Sequence, residues 1–476
     1  MSDNLSHAGR RQSVSLACVI YNLLLALLFP LLLLYLGYRL LRGKSRAGLR
    51  ERLGILPDHV REYGESEDTV VWIHAASVGE VNAVTPILRE LRLRLPLAHM
   101  VLSVITPTGR QIAEKRDLGV DAVIYFPFDL PLIVERFLHR LNPAVFVMVE
   151  TELWPNLLAA CRRHGVTTVV VNGRISDRAY PKTRALWPLY RWMLRNVDLV
   201  CAQSELDAER FRALGAPAER VVVAGNSKFD DTPAHVSAAE SARWRQEFGF
   251  GEDDFVLVAG STHEGEEEIV LDVFDHLRFS HRDLQLVIAP RHPERGDRVH
   301  ELVREHGYDV YRRSHALAAR AEDQEPGPRP TGPTVRVAIL DTVGELVPVY
   351  GCADLVLVGG SLLRGLSGHN VLEPIAQGKP TLFGPYMADF RDISAIALRE
   401  GCAVQVTDAA ALQAECERLL ASESDREALA GRGRAMIAKY AGASARYAEA
   451  VERLLAARAP QQPLGAGDRD ARETEA

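Results

Sequence analysis

Carboxylates placed just after short apolar runs are the residues here with the clearest chemistry. Glu80 ends the stretch VVWIHAASVGE at residues 70–80, where a β-branched run passes through small residues into a helical pattern. Apolar residues then recur at Val81, Val84, Ile87, Leu88 and Leu91, the three-four spacing of a helix with one buried face. In an open α/β sheet that strand edge is where ligands bind, and a carboxylate there can act as a general base. Ser77 and Glu80 are also spaced as a capping box, in which both side chains satisfy amides at the helix start. A carboxylate so bonded has a lowered pKa and is a poorer base. The catalytic reading therefore expects Glu80 to point into a cleft, leaving the Ser77 hydroxyl or water to satisfy the helix start.

Other strand exits carry candidate partners. Glu150 and Glu152, in ETELWPN, follow the very apolar run 144–149; either could be a second acid/base or bind sugar hydroxyls. Arg174 and Lys228 end two further strands, and Lys228 is a cation suited to an acidic sugar. In the second half Ser261 and Thr262 follow the run 255–259 and could donate to phosphate. The carboxylates 264–268 after them read as an acidic first turn favoured by the helix dipole. Arg291 and His292 follow the run 285–289 and suggest anion recognition, whereas Arg295 reads as solvated. The segment VGGSLLRGLSGHNVLEP at 358–374 is a strand running into glycines, among them Gly365 and Gly368, with His369 and Asn370 opening a helix. Converging amides and a helix N-terminus suit a phosphate, and Glu373 is placed for ribose hydroxyls. The bland alternative is a glycine turn capped by Asn370.

Positioning these residues requires parallel sheets. From residue 70 onward, β-branched runs alternate with helical patterns, and their continuous apolarity means they are covered on both faces. The expectation is an α/β protein of GT-B type, with two doubly wound Rossmann-like domains facing a cleft behind an N-terminal membrane-anchor helix. Expected boundaries are 1–42 for the tail and anchor, 43–235 for the first domain, and 250–425 for the second. C-terminal helices follow at 426–456 and a disordered tail at 457–476. A Pro-rich insertion interrupts the second domain at 318–333. At 476 residues two domains are natural.

A net charge of −7 argues against a general nucleic-acid binder. The six cysteines show no CxxC and no metal spacing, so they read as reduced, with no metal site. Residues 13–38 contain no charge and are rich in leucine, long enough to cross a hydrocarbon core or, kinked at Pro30, to dip into one leaflet. Arg39, Arg42, Lys44 and Arg52 crowd its C-terminal side, so the body that follows is expected on the cytoplasmic face.

The ordered series HAASVGE, SVITPTG, ETELWPN, VNGRISDRAY, GNSKFD, GSTHEGEEE, APRHPER, GHNVLEP and GPYMADFRDI resembles the Kdo (3-deoxy-D-manno-octulosonic acid) transferases of Gram-negative bacteria. The likeness runs from the anchor to about residue 392. It implies CMP-Kdo as donor, the tetraacylated lipid A precursor (lipid IVA) as acceptor, and work at the cytoplasmic face of the inner membrane. It makes Glu80 the base and Glu152 (or Glu150) the second carboxylate. Lys228, Ser261, Arg291, His292, Gly368, Asn370 and Glu373 fall on the donor side. Arg39, Arg42, Lys44, Arg52 and Arg174 fall on the acceptor and membrane side. The glycine loop departs from the family pattern, about one residue longer over 363–367 and with Ser367 for a glycine. Donor and acceptor are substrates, no cofactor or metal is expected, and a single-phosphate leaving group can be stabilised by a helix terminus and basic side chains. The alternatives are another membrane-associated envelope enzyme using a UDP-sugar and a non-catalytic nucleotide-sugar binder.

Overall fold

The computed structural model describes residues 16–41, 48–321 and 336–458. Its chain divides into two compact units, Met1–Asp231 with Ala441–Ala476, and Thr232–Tyr440.

The first unit holds seven parallel strands: β1 Val70–His74, β2 His99–Val104, β3 Ala122–Tyr125, β4 Val145–Val149, β5 Thr167–Gly173, β6 Leu199–Ala202 and β7 Val221–Val223. Their spatial order is β3-β2-β1-β4-β5-β6-β7, the doubly wound order, with the reversal between β1 and β4. Alternate residues of β1 enter opposite cores. Val70 and Trp72 pack with Phe137, Phe146 and Leu157 on one face, and Val71 and Ile73 with Val81, Leu88 and Val147 on the other. That two-sided burial is why the strand is apolar throughout. The last described helix, Ala443–Arg458, returns to this unit. Tyr447, Ala448 and Val451 are fully buried in the same core as Ile73, and Arg94 pairs with Glu452 at 2.9 Å. Where the chain leaves and re-enters, Asp230 accepts from the amides of Gly442 and Ser444, at 2.5 and 2.6 Å.

The helix Leu16–Leu41 lies against the first unit. Tyr21 donates to Asp129 Oδ2 and Asn22 Nδ2 to Asn156 Oδ1, both at 2.9 Å. Asp129 also accepts from the Asn156 and Leu157 amides, at 3.1 and 2.8 Å, so it caps the helix Pro155–Arg163 as well. Away from these contacts Leu23, Leu27, Leu31 and Leu34 are 62–73% exposed. Among the described residues no helix is long and apolar enough to cross a membrane. The residues expected to form the anchor thus make a helix that packs on the first unit and keeps an apolar outer side. Arg42, Lys44 and the Arg39 side chain lie outside the described residues, as does the tail beyond residue 458.

The second unit also has seven parallel strands: β8 Phe255–Thr262, β9 Leu284–Pro290, β10 Asp309–Arg312, β11 Arg336–Ile339, β12 Leu355–Val358, β13 Thr381–Phe383 and β14 Ala403–Gln405. They are ordered β10-β11-β9-β8-β12-β13-β14. The two edge strands, β10 and β14, went unread in the sequence because they are short and partly exposed. The insertion expected at 318–333 begins as the end of the helix Arg313–Ala321, and residues 322–335 lie outside the described residues.

Candidate active site

In the first unit the functional side chains gather at the C-terminal edge of the sheet. The helix Val78–Arg94 opens directly after β1, with Ser77 as its N-cap. Glu80 Oε2 accepts from the Ala76 amide at 2.7 Å and Oε1 from the Ser77 hydroxyl at 3.2 Å, while Ser77 Oγ accepts from the Glu80 amide at 3.4 Å. The capping box is therefore formed, and the expectation that Glu80 would leave the cap is not met. Yet its carboxyl is pushed up to about 8. Burial is the main cause and the nearby Glu152 carboxylate adds to it, outweighing the Ala76 and Ser77 hydrogen bonds that favour ionisation. Cap and base are compatible because the cap is too weak to offset desolvation.

Glu152 comes from the loop after β4. Its Oε2 accepts from Trp154 Nε1 at 3.1 Å and lies 3.6 Å from Nε2 of the buried His74 at the end of β1. Glu150, two residues earlier, has φ 59°, a left-handed backbone that a side chain disfavours. Burial raises its carboxyl above the usual range, while Arg174 and Lys228 counter it. Both carboxylates of ETELWPN and both expected cations thus fall in one electrostatic neighbourhood. Lys228 sits in the short turn Ser227–Phe229, whose Ser227 hydroxyl donates to the Ala83 carbonyl at 2.7 Å and so ties the turn to the Glu80 helix. Arg52 stacks over Tyr125, 4.5 Å from its centroid, and donates to the Ile105 carbonyl.

In the second unit the strand exits of β8, β9 and β12 carry a separate cluster. Arg291 and His292 are exposed after β9. Arg295 reverses its expected role: it makes a two-pronged pair with the wholly buried Glu267, at 2.5 and 3.2 Å. Glu266, also fully buried, accepts from the amides of Gly360, Ser361 and Leu362 at 2.7–2.9 Å and from that of His263 at 2.9 Å. The first amides of the glycine segment are therefore held by a protein carboxylate. The acidic stretch 264–268 is a buried clamp as well as a first turn.

Gly368, buried with φ 74°, packs where a Cβ would stand 2.4 Å from Met387 Sδ, so its role here is close packing. Asn370 caps by accepting from the Leu372 amide at 3.1 Å and donates to Glu373 Oε1 at 3.2 Å, which orients that carboxylate in the helix Leu372–Ala376. Ser261 has φ 58°, a non-glycine left-handed residue at a strand end like Glu150 and Asn172.

Sequence reasoning passed over two histidines. His263 and His369 stack, centroids 5.2 Å apart, with their Nε2 atoms 2.9 Å apart, and His292 stands edge-on to His263 at 5.8 Å. Burial first, then His263, Arg291 and His292, lowers His369 to about 4. The signal was a histidine after each of three strands, but histidine singletons carry no spacing rule. Among the described residues, Asp272, Asp275 and His306 could offer three ligand atoms within 4.8 Å of one another to a metal. They lie along the helix Glu266–Ser280 and just after Gly296–Glu305, and Asp275 is already bonded to His306 and Tyr308.

Residues 47–231 match the family described as 3-deoxy-D-manno-octulosonic-acid transferase (kdotransferase). A 3-deoxy-D-manno-octulosonic acid transferase of Haemophilus influenzae is 33% identical over 89% of this chain and 95% of its own. One from Bordetella pertussis is 33% identical over 80% of this chain and 86% of its own. In fold alone, a glycosyltransferase from Rickettsia africae is similar with a TM-score of 0.54 at 12% identity, over 83% of this chain and all of its own. With the motif residues grouped at the strand exits of both sheets, these likenesses make the chain a glycosyltransferase that belongs to the 3-deoxy-D-manno-octulosonic acid transferases.

Proposed function

We propose that the chain moves Kdo from CMP-Kdo to a lipid A precursor, with inversion, at the cytoplasmic face of the inner membrane. The observation that carries the mechanism is Glu80, a carboxylate at a sheet's ligand edge whose proton affinity lies near neutral pH. Glu80 takes the proton of the acceptor hydroxyl while that oxygen attacks the anomeric carbon and CMP departs with the bonding electrons. Glu152 tunes Glu80 through its charge.

Kdo carries a carboxylate and CMP one phosphate. In the second unit Arg291 is assigned as a cation for these anions, His292 and Ser261 as hydrogen-bond partners, and Glu373, oriented by Asn370, as a partner for ribose hydroxyls. In the first unit Lys228 is assigned as a donor-binding cation. Gly368 shapes the loop on which Asn370 sits. With Glu266 occupying the first glycine-segment amides, the phosphate relies on side-chain cations more than on those amides. No metal or cofactor is assigned to the reaction. The apolar side of the helix Leu16–Leu41 suits a lipid surface, where the acceptor resides, and Arg39, Arg42, Lys44, Arg52 and Arg174 are assigned to acceptor and anionic head groups.

Incubation with labelled CMP-Kdo and lipid IVA, beside UDP-sugar controls, tests this reading. Label in the lipid product from CMP-Kdo alone is expected, and transfer from UDP donors alone would overturn it. Glu80→Gln should lower turnover by about 10²–10⁴-fold.

A further inference from the structure

Tyr350 lies in the helix Leu346–Gly351, which packs against both β8 and the helix Leu372–Ala376. Its side chain is among the largest that are fully buried, at 1% exposure. Among the described residues no donor or acceptor meets its hydroxyl. Gly260, near the end of β8, makes room for that group: a Cβ there would stand 2.1 Å from the Tyr350 hydroxyl oxygen and 2.8 Å from Cζ. The backbone of Gly260 is not left-handed, so space is the reason for the glycine. Phenylalanine beside alanine would fill the same place with no polar atom. A buried hydroxyl without a partner costs free energy, and its removal is neutral or stabilising. Glycine and hydroxyl together therefore call for a partner from outside the chain.

We infer that Tyr350 is a binding residue for the donor's ribose, its hydroxyl donating to one ribose oxygen while Glu373 accepts from the sugar. A ribose diol both donates and accepts, whereas a carboxylate only accepts. Glu373 alone leaves the lone pairs of the ribose oxygens unmet, and a phenol O–H supplies what it lacks. The surroundings agree. Burial first, and then the Glu373 carboxylate, push the Tyr350 phenol up, so it keeps its proton and stays a donor. Asn370 Nδ2 holds Glu373 Oε1 at 3.2 Å, and Ser261, assigned to the same donor, directly follows Gly260. Tyr350 thus gives the nucleotide site a preference for ribose over a deoxy sugar. The inference rests on the assignment of Glu373 as the ribose partner.

The test measures binding of CMP, 2′-deoxy-CMP and 3′-deoxy-CMP to the full chain by calorimetry, for wild type and Tyr350→Phe. Phenylalanine keeps the ring and removes only the hydroxyl. Tyr350→Phe should weaken CMP about three- to tenfold. One of the two deoxy nucleotides should bind wild type and variant alike, because the oxygen that the phenol meets is already missing from it. Equal CMP affinity in wild type and variant, or the same loss on all three nucleotides, overturns the proposal.

A second readout needs no ligand. Urea denaturation of Tyr350→Phe should give a midpoint equal to or above that of wild type, since the hydroxyl removed has no partner in the fold. A lower midpoint means that the hydroxyl is bonded within the protein, and it overturns the proposal. Failure of the Glu373 assignment has its own sign, unchanged CMP affinity in Glu373→Gln, whatever Tyr350→Phe does. If wild type prefers UMP to CMP the donor assignment fails instead, and the same comparison runs on UMP and its deoxy forms.

Discussion

At the scale of single residues, Glu80 is a cap by geometry and a base by environment. Its place at a strand-to-helix junction and its capping partner were legible in S-x-x-E spacing, and both are seen. Its proton affinity was not legible. It depends on burial and on Glu152, which the chain delivers from a different strand. The rising limb of kcat/KM is expected near pH 8, and in Glu80→Gln it should vanish along with most of the rate, as a pH–rate series would record. Stability moves in the matching direction. A carboxyl whose folded pKa is raised from 4.5 to about 8 binds its proton more tightly when folded, so its contribution falls as pH rises through that window. The melting temperature of Glu80→Gln relative to wild type should therefore climb between pH 5 and pH 8 and level off above; thermal scans at several pH values check the sign. Arg295 and Glu267 give another residue-scale outcome. Arg295→Ala leaves a wholly buried carboxylate unpaired, at a cost of about 3–5 kcal/mol in urea denaturation.

At the scale of elements, continuous apolar runs identified the central strands of both sheets because those strands are covered on both faces. The same rule failed at β10 and β14, where an edge position removes the burial that writes the pattern. The glycine segment after β12 was recognisable as a ligand loop, but its first amides are occupied by Glu266, a contact that spans 94 to 96 positions in the chain and leaves no local trace. The helix Leu16–Leu41 was legible from its composition; its docking through Tyr21 and Asn22 was not, since two polar residues in a leucine run name no partner. Replacing Leu23, Leu27 and Leu31 by serine removes apolar side chains that already face outward, so folding should be little changed. Binding to anionic lipid vesicles should fall by tenfold or more in a flotation assay, given about 0.8 kcal/mol for each buried methylene lost.

At the scale of the whole molecule, the two similar halves expected from alternating strands and helices are present as two seven-stranded sheets. The helix Ala443–Arg458 belongs to the first of them although it ends the described chain. Tyr447→Ala should destabilise that unit by about 3–5 kcal/mol, read by urea denaturation, because it opens a cavity in a core shared with Ile73 and Val81. The same helix governs the order of events during synthesis. Residues 232–440 form a continuous unit that can close as soon as it has left the ribosome. The unit emerging first lacks Tyr447, Ala448 and Val451 until synthesis has advanced by roughly another 200 residues, a delay of about 10–40 s at usual elongation rates. The half that carries Glu80 is begun first and finished last, and through that interval its open core is what chaperones and proteases meet.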